Sequence, residues 1–160
     1  AQVPAFVTLV GVFVDCDAEQ VNNYASQISL DIVQLHGAES EQYAAQLNTP
    51  YIKAIRAKSP DQVAQEITQY SSARALLFDP YVRNQHGGTG QQLNPDLWPV
   101  AHKNTVQRLI LAGGLSADNL LTAVAQFSPY AVDLNSGVED SAGIKNIDQV
   151  AQCLRMLNES

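Results

Sequence analysis

Leu109-Ile110-Leu111-Ala112-Gly113-Gly114-Leu115 and its echo, Ala131-Val132-Asp133-Leu134-Asn135-Ser136-Gly137-Val138-Glu139, decide how this chain is read. In each, a short apolar run with the character of a buried parallel strand stops abruptly at glycine, and the pattern after it has helical spacing. Glycine lets the backbone turn through positive φ and come close to an anion. The N–H groups of a following helix point at that anion, and the helix dipole favours its charge. The two stretches therefore read as strand-to-helix phosphate loops on neighbouring strands, able to hold one phosphate between them. The plainer alternative is that Gly113, Gly114 and Gly137 only make tight turns.

Outward from these loops the chain alternates strand and helix. Phe6 to Val14 reads as a first strand, Ile32 to Leu35 as a second, Tyr51 to Ala57 as a third and Ala75 to Phe78 as a fourth. Val106 to Leu111 and Tyr130 to Leu134 follow as the fifth and sixth. Helices are expected from about Ala18 to Ile28 with Asp17 as N-cap, and from about Ser40 to Leu47. Ser59-Pro60 opens a third, with Val63, Ile67 and Tyr70 facing inward. A short helix over Asp96 to His102, another over Ser116 to Phe127 and a last over Ile147 to Leu157 complete the pattern. No run of consecutive hairpins interrupts it.

Such alternation predicts an α/β fold with a parallel sheet flanked by helices. An open doubly wound sheet and an eight-stranded TIM barrel compete. Candidate functional residues after nearly every strand, and glycine loops after the last two, suit a barrel. An open sheet would gather them at one switch point. The chain does not begin with Met and enters an apolar strand almost at once, which reads as a cut start that removes the first strands. The expectation is one partial (βα)8 TIM-barrel domain over residues 1–160, carrying about the last six βα units.

With 160 residues the chain suits a single domain. It is 46% hydrophobic and 16% charged, with a formal net charge of −7 and no basic run, so nucleic acid is not an expected partner. A local nest of N–H groups still suits a small anion. Cys16 and Cys153 form no C-x-x-C pair, which argues for a reduced, cytoplasmic setting without a disulfide framework or zinc site. No stretch approaches the roughly 20 apolar residues of a membrane span, and no signal peptide is apparent.

Asp79 follows the apolar Ala75-Leu76-Leu77-Phe78, where burial raises a carboxyl pKa as a general acid requires; a turn aspartate before Pro80 is the alternative. His36 ends the second strand, placed either to bind an anionic substrate or to hold structure. Gly87, Gly88 and Gly90 lie in the one long irregular segment, 81–95, and read as a loop closing over a ligand, with simple flexibility as the alternative. Arg56 and Arg83 are cations able to neutralise a ligand or to sit in solvent. Cys16, just past the first strand, is either a proton acceptor or a small residue beginning a helix; Cys153 reads as core.

The chain resembles the phosphoribosylanthranilate isomerase family over nearly its whole length. The motifs are Val10-Gly11-Val12-Phe13-Val14, Val33-Gln34-Leu35-His36-Gly37, Asp79 followed by Gly87-Gly88-Thr89-Gly90, and Leu111-Ala112-Gly113-Gly114-Leu115 with Asn119. Asp133 through Ser136-Gly137-Val138-Glu139 to Gly143-Ile144-Lys145 completes them. The resemblance implies a barrel lacking the family's N-terminal quarter and an enzyme of tryptophan biosynthesis. The reaction opens the ribose ring of phosphoribosylanthranilate and converts an aminoaldose to an aminoketose, without cofactor or metal. It implies Asp79 as general acid and His36, Asp133, Gly87, Gly88 and Gly90 as substrate-binding, with Asp133 accepting the anthranilate N–H. Gly113, Gly114, Ser136 and Gly137 would hold the phosphate.

The family's base, a cysteine at the end of its first strand, falls outside these residues. Asp15 and Asn135 stand where asparagine and serine are usual. A non-catalytic phosphosugar-binding module, built on the same two loops, is the alternative function. Unpaired sheet edges would also favour self-association.

Overall fold

A computed structural model describes residues 3–80, 92–99 and 108–159. Six parallel strands pair in strict sequence order. They are β1 (Val10–Phe13), β2 (Ile32–Leu35), β3 (Tyr51–Ile55), β4 (Ala75–Phe78), β5 (Arg108–Leu111) and β6 (Ala131–Val132). Four helices that follow strands are α1 (Ala18–Gln27), α2 (Glu41–Ala44), α3 (Pro60–Gln69) and α4 (Leu120–Phe127). A polar hairpin, β7 (Glu139–Ser141) and β8 (Ile144–Lys145), precedes the last helix, α5 (Ile147–Asn158).

The helix starts are written locally. The Asp17 carboxylate accepts from Glu19 N and Gln20 N, and the Ser40 and Ser59 hydroxyls accept from Tyr43 N and Gln62 N. Each cap satisfies N–H groups that have no partner within the helix.

One face of the sheet is covered by helices. There Val33, Leu35, Ile55, Leu76, Phe78 and Leu111 pack with Val21 and Ala25 of α1, Val63 and Ile67 of α3, and Ala123 and Phe127 of α4. Trp98 sits edge-on between Phe78 and Phe127, at centroid distances of 5.5 and 5.4 Å. Cys153 is fully buried on α5 against Leu120 and Val138, a core residue as expected.

The opposite face carries a second apolar cluster: Ile52, Ala54, Ala75, Leu77 and Ala112, with Ile32 and Ile110 beside them. Strand alternation carries that face onward to Gln34 and His36, to Asp79 and to Asp133. At the β1 end, Val10, Val12 and Val14 are exposed. Among the described residues β1 and β6 each pair on one side only.

Several boundaries differ from the sequence expectations. The first strand spans Val10–Phe13 rather than Phe6 to Val14, because pairing with β2 begins at Val10–Ile32 and Phe6 is left exposed. The second helix is one turn, since Gln46 N and Leu47 N bond three residues back and tighten the chain. The fifth helix starts at Leu120, not Ser116, because the Asn119 side chain ties up Ser116 N and Gly114 O in a preceding turn. The sixth strand is two residues long, and the expected helix over Asp96 to His102 is a 3₁₀ turn at Pro95–Leu97, with residues 100–107 outside the description. The β7–β8 hairpin was not expected; it places a strand pair between Gly137 and the next helix.

Candidate active site

The polar residues gather at the C-terminal ends of the parallel strands. This is the end where loops of parallel α/β folds carry function. His36 directly follows β2, Asp79 follows β4, Gly113 and Gly114 lie just beyond β5, and Asp133 follows β6. One cavity is lined by His36, Asp79, Gly113, Gly114, Leu115, Asp133, Asn135, Ser136 and Gly137. It brings together His36, Asp79, Asp133 and the described residues of both glycine loops. Gly87, Gly88 and Gly90 lie outside the described residues, as does Arg83.

His36 Nε2 stands 3.3 Å from Asp79 Oδ2. On its other side, His36 Nδ1 lies 3.3 Å from the Gln34 side-chain nitrogen. An amide nitrogen only donates, so Nδ1 accepts and the ring proton belongs on Nε2, where it is donated to the carboxylate. Gln34 thus selects the tautomer. Sequence reasoning passed over Gln34; the available signal is a polar residue two positions before a histidine in an apolar strand, hence on the same face.

Asp79 is buried, and its backbone N–H donates to Ile55 O at 3.1 Å. Asp133 is anchored likewise by Asp133 N to Leu111 O at 2.8 Å. Burial raises the Asp133 carboxyl above its ordinary range and the negative charge of Asp79 adds to this, while His36 and Lys145 act in the opposite sense.

The two glycine loops meet. Gly113 and Gly114 adopt φ of 92° and 57°, conformations that side chains resist. Gly137 is required for a different reason: a β-carbon there would overlap the Leu115 carbonyl oxygen. Lys145 of the unexpected hairpin donates to the backbone and side-chain oxygens of Asn135 and to Glu139, bracing the second loop. That contact holds the Glu139 carboxyl below its usual range.

Two candidates do not join this cavity. Cys16 lies in a separate groove formed with Asp15, Asp17 and Tyr43, its thiol 3.5 Å from Gln20 Oε1. Arg56 donates to the His36 carbonyl at 2.8 Å and so supports the histidine from its backbone. Among the described residues no group of three or more His, Cys, Asp or Glu is placed to hold a metal ion, and no helix is long and apolar enough to cross a membrane.

The fold and cavity define a parallel α/β protein with an acid–histidine pair beside converging glycine loops. Residues 1–155 match the family described as N-(5'phosphoribosyl)anthranilate (PRA) isomerase. A relative from Chromohalobacter salexigens, named N-(5'-phosphoribosyl)anthranilate isomerase, is 41% identical over 160 residues, covering 100% of this chain and 74% of that protein. The crystal structure of phosphoribosyl anthranilate isomerase from Thermus thermophilus matches with a TM-score of 0.82 at 34% identity, covering 98% of this chain and 75% of that one. A phosphoribosyl anthranilate isomerase in complex with reduced 1-(o-carboxyphenylamino)-1-deoxyribulose 5-phosphate matches with a TM-score of 0.83 at 27% identity, covering 99% and 75%. The chain belongs to the phosphoribosylanthranilate isomerase family and spans about three quarters of the length of these relatives.

Proposed function

We propose that this chain carries the acid half and the phosphate grip of the isomerisation of N-(5'-phosphoribosyl)anthranilate to 1-(2-carboxyphenylamino)-1-deoxyribulose 5-phosphate, a step of tryptophan biosynthesis. The observation that carries this reading is the single cavity in which Asp79, held by His36, faces two converging glycine loops. A phosphosugar seated by its phosphate at Gly113, Gly114, Ser136 and Gly137 extends its ring toward the carboxyl groups.

Asp79 is the general acid. With Oδ2 engaged by His36, the proton delivered to the ribose ring oxygen is carried on Oδ1; the C1–O bond then breaks and the sugar opens. Loss of the C2 proton to a base gives the enolamine, which tautomerises to the aminoketose. Asp133 accepts the anthranilate N–H, a contact that favours its charged form against the cost of burial.

The fold supports reading the six strands as six units of an eight-unit barrel, with β1 and β6 flanking the position of the other two. The base that removes the C2 proton then comes from the first of those two.

Turnover of phosphoribosylanthranilate, followed by loss of anthranilate fluorescence, tests this with the chain alone and with the family's N-terminal quarter added as a peptide. Activity that needs the peptide is the expected result. Activity without it places the base within these residues and makes Cys16 the first to mutate. Silence in both, with the reduced product analogue still bound, favours a phosphosugar-binding module instead.

A further inference from the structure

We infer that Glu39, paired with Lys53, is a positioning residue for the His36–Asp79 contact, acting through the turn that carries His36. The inference rests on the reading of Asp79 and His36 given above. Neither Glu39 nor Lys53 lines the cavity, so neither is a catalytic residue.

Both side chains are buried, Glu39 at 2% and Lys53 at 4% exposure, and Lys53 Nζ lies 3.2 Å from Glu39 Oε2. A buried pair of this kind is a weak source of net stability, because desolvation offsets its attraction. Burial indeed pulls the Lys53 ammonium below its ordinary pKa, with Glu39 opposing. What the pair does accomplish is geometric. Lys53 Nζ donates to the carbonyls of Leu35 at 3.3 Å and Gly37 at 2.7 Å, the two residues flanking His36. Arg56, three residues further on, donates to the carbonyl between them. Three consecutive carbonyl oxygens are thus fixed by cationic side chains from β3 and its end.

Glu39 closes the same turn from the other side. Its carboxylate accepts from Gly37 N at 2.9 Å and from Asp15 N at 2.8 Å. The second bond ties the loop after β1 to the loop after β2, and Asp15 Oδ1 returns it by accepting from Ala38 N at 2.6 Å. The Glu39 carbonyl accepts from the Tyr70 hydroxyl at 2.8 Å, which fixes the residue's own backbone. The turn held at both ends fixes the backbone from which the imidazole reaches Asp79.

The test uses Glu39→Gln, which keeps an acceptor for the two N–H groups but removes the counter-charge of Lys53. The paired variant Glu39→Gln with Lys53→Met removes the charge imbalance while leaving the carbonyls of Leu35 and Gly37 without their donor. Three quantities are read: the ring 15N shifts of His36, assigned with His36→Gln; kcat and KM for phosphoribosylanthranilate with the family's N-terminal quarter added as a peptide; and the melting midpoint. Positioning predicts altered His36 ring shifts in both variants. It also predicts a kcat lowered by roughly 10²-fold, the scale of a 1 Å misplacement, with KM changed less than about threefold. Should Glu39→Gln fail to fold, the neutral pair is read in the same way. A lowered melting midpoint with unchanged ring shifts overturns the inference and makes the pair structural only. If the unmodified chain turns over nothing with or without the peptide, the isomerase reading fails, and the ring shifts alone still decide whether Glu39 positions His36.

Discussion

His36 Nε2 and Asp79 Oδ2 meet at 3.3 Å across the ends of β2 and β4, with the whole of β3 between their parent strands. Residues 43 apart in sequence are brought together because each continues the same face of the sheet, the one that carries Ile52, Ala54 and Leu77. Replacing Asp79 by Asn removes the proton donor and keeps the shape. Turnover is expected to fall by about 10²- to 10⁴-fold, the usual worth of a general acid. Binding of the reduced product analogue, measured by titration calorimetry, should stay within a few-fold of wild type. A variant that loses binding in step with turnover would assign Asp79 to ligand contact instead.

Gly137 lies against Leu115, so that a β-carbon would overlap the Leu115 carbonyl and crowd Ser116. Gly137→Ala is therefore expected to push the two loops apart. Overpacking against backbone costs about 1–3 kcal/mol, readable in thermal unfolding. The same separation should raise KM and weaken the analogue more than it lowers kcat, because the loops hold phosphate rather than the reacting carbons. A variant with ordinary stability but unchanged KM would detach this loop from the phosphate.

The order of the elements was legible because each apolar strand runs into a polar or glycine stop, and the caps at Asp17 and Ser59 are short-range signals. Strand and helix lengths were not, because they depend on partners: Phe6 to Leu9 is apolar enough for a strand but does not pair as one. The hairpin of Glu139–Ser141 with Ile144–Lys145 was hidden by its brevity and its exposed residues, which show no alternation of apolar and polar. Asp79, His36, Asp133 and both glycine loops were picked out because each stands at a strand end. Gln34, Glu39 and Lys53 were not, since a polar residue inside a strand or a short turn declares its role only through distant partners.

Asp133 provides a test by pH. Its carboxyl is raised by burial first and by Asp79 second, so the folded state binds its proton more tightly than the unfolded state does. Stability from this group is then fully present below the unfolded carboxyl pKa and is lost as pH rises through the folded value. Asp133→Asn carries no charge to bury. Its melting midpoint should exceed that of wild type at neutral pH, and the difference should shrink as pH is lowered through the carboxylate range. Turnover should fall in the same variant, since the anthranilate N–H loses an anionic acceptor. Equal melting curves at every pH would contradict the assigned burial cost.

The β1 edge gives the last expectation. Val10 and Val12 are exposed on a strand that pairs only with β2 among the described residues, Val14 is exposed just past it, and Val12 stands opposite Gln34 on the face that leads to the site. An apolar strand with a free edge is a template for pairing with another chain. The chain alone is expected to self-associate, and Val12→Lys should reduce that association by placing a charge in the middle of the strand. Sedimentation equilibrium over a range of concentrations reads both. Addition of the N-terminal quarter should compete with self-association, because two added strands would cover the same edge. A dilute, stable monomer of the unmodified chain with a sharp thermal transition would contradict the expectation.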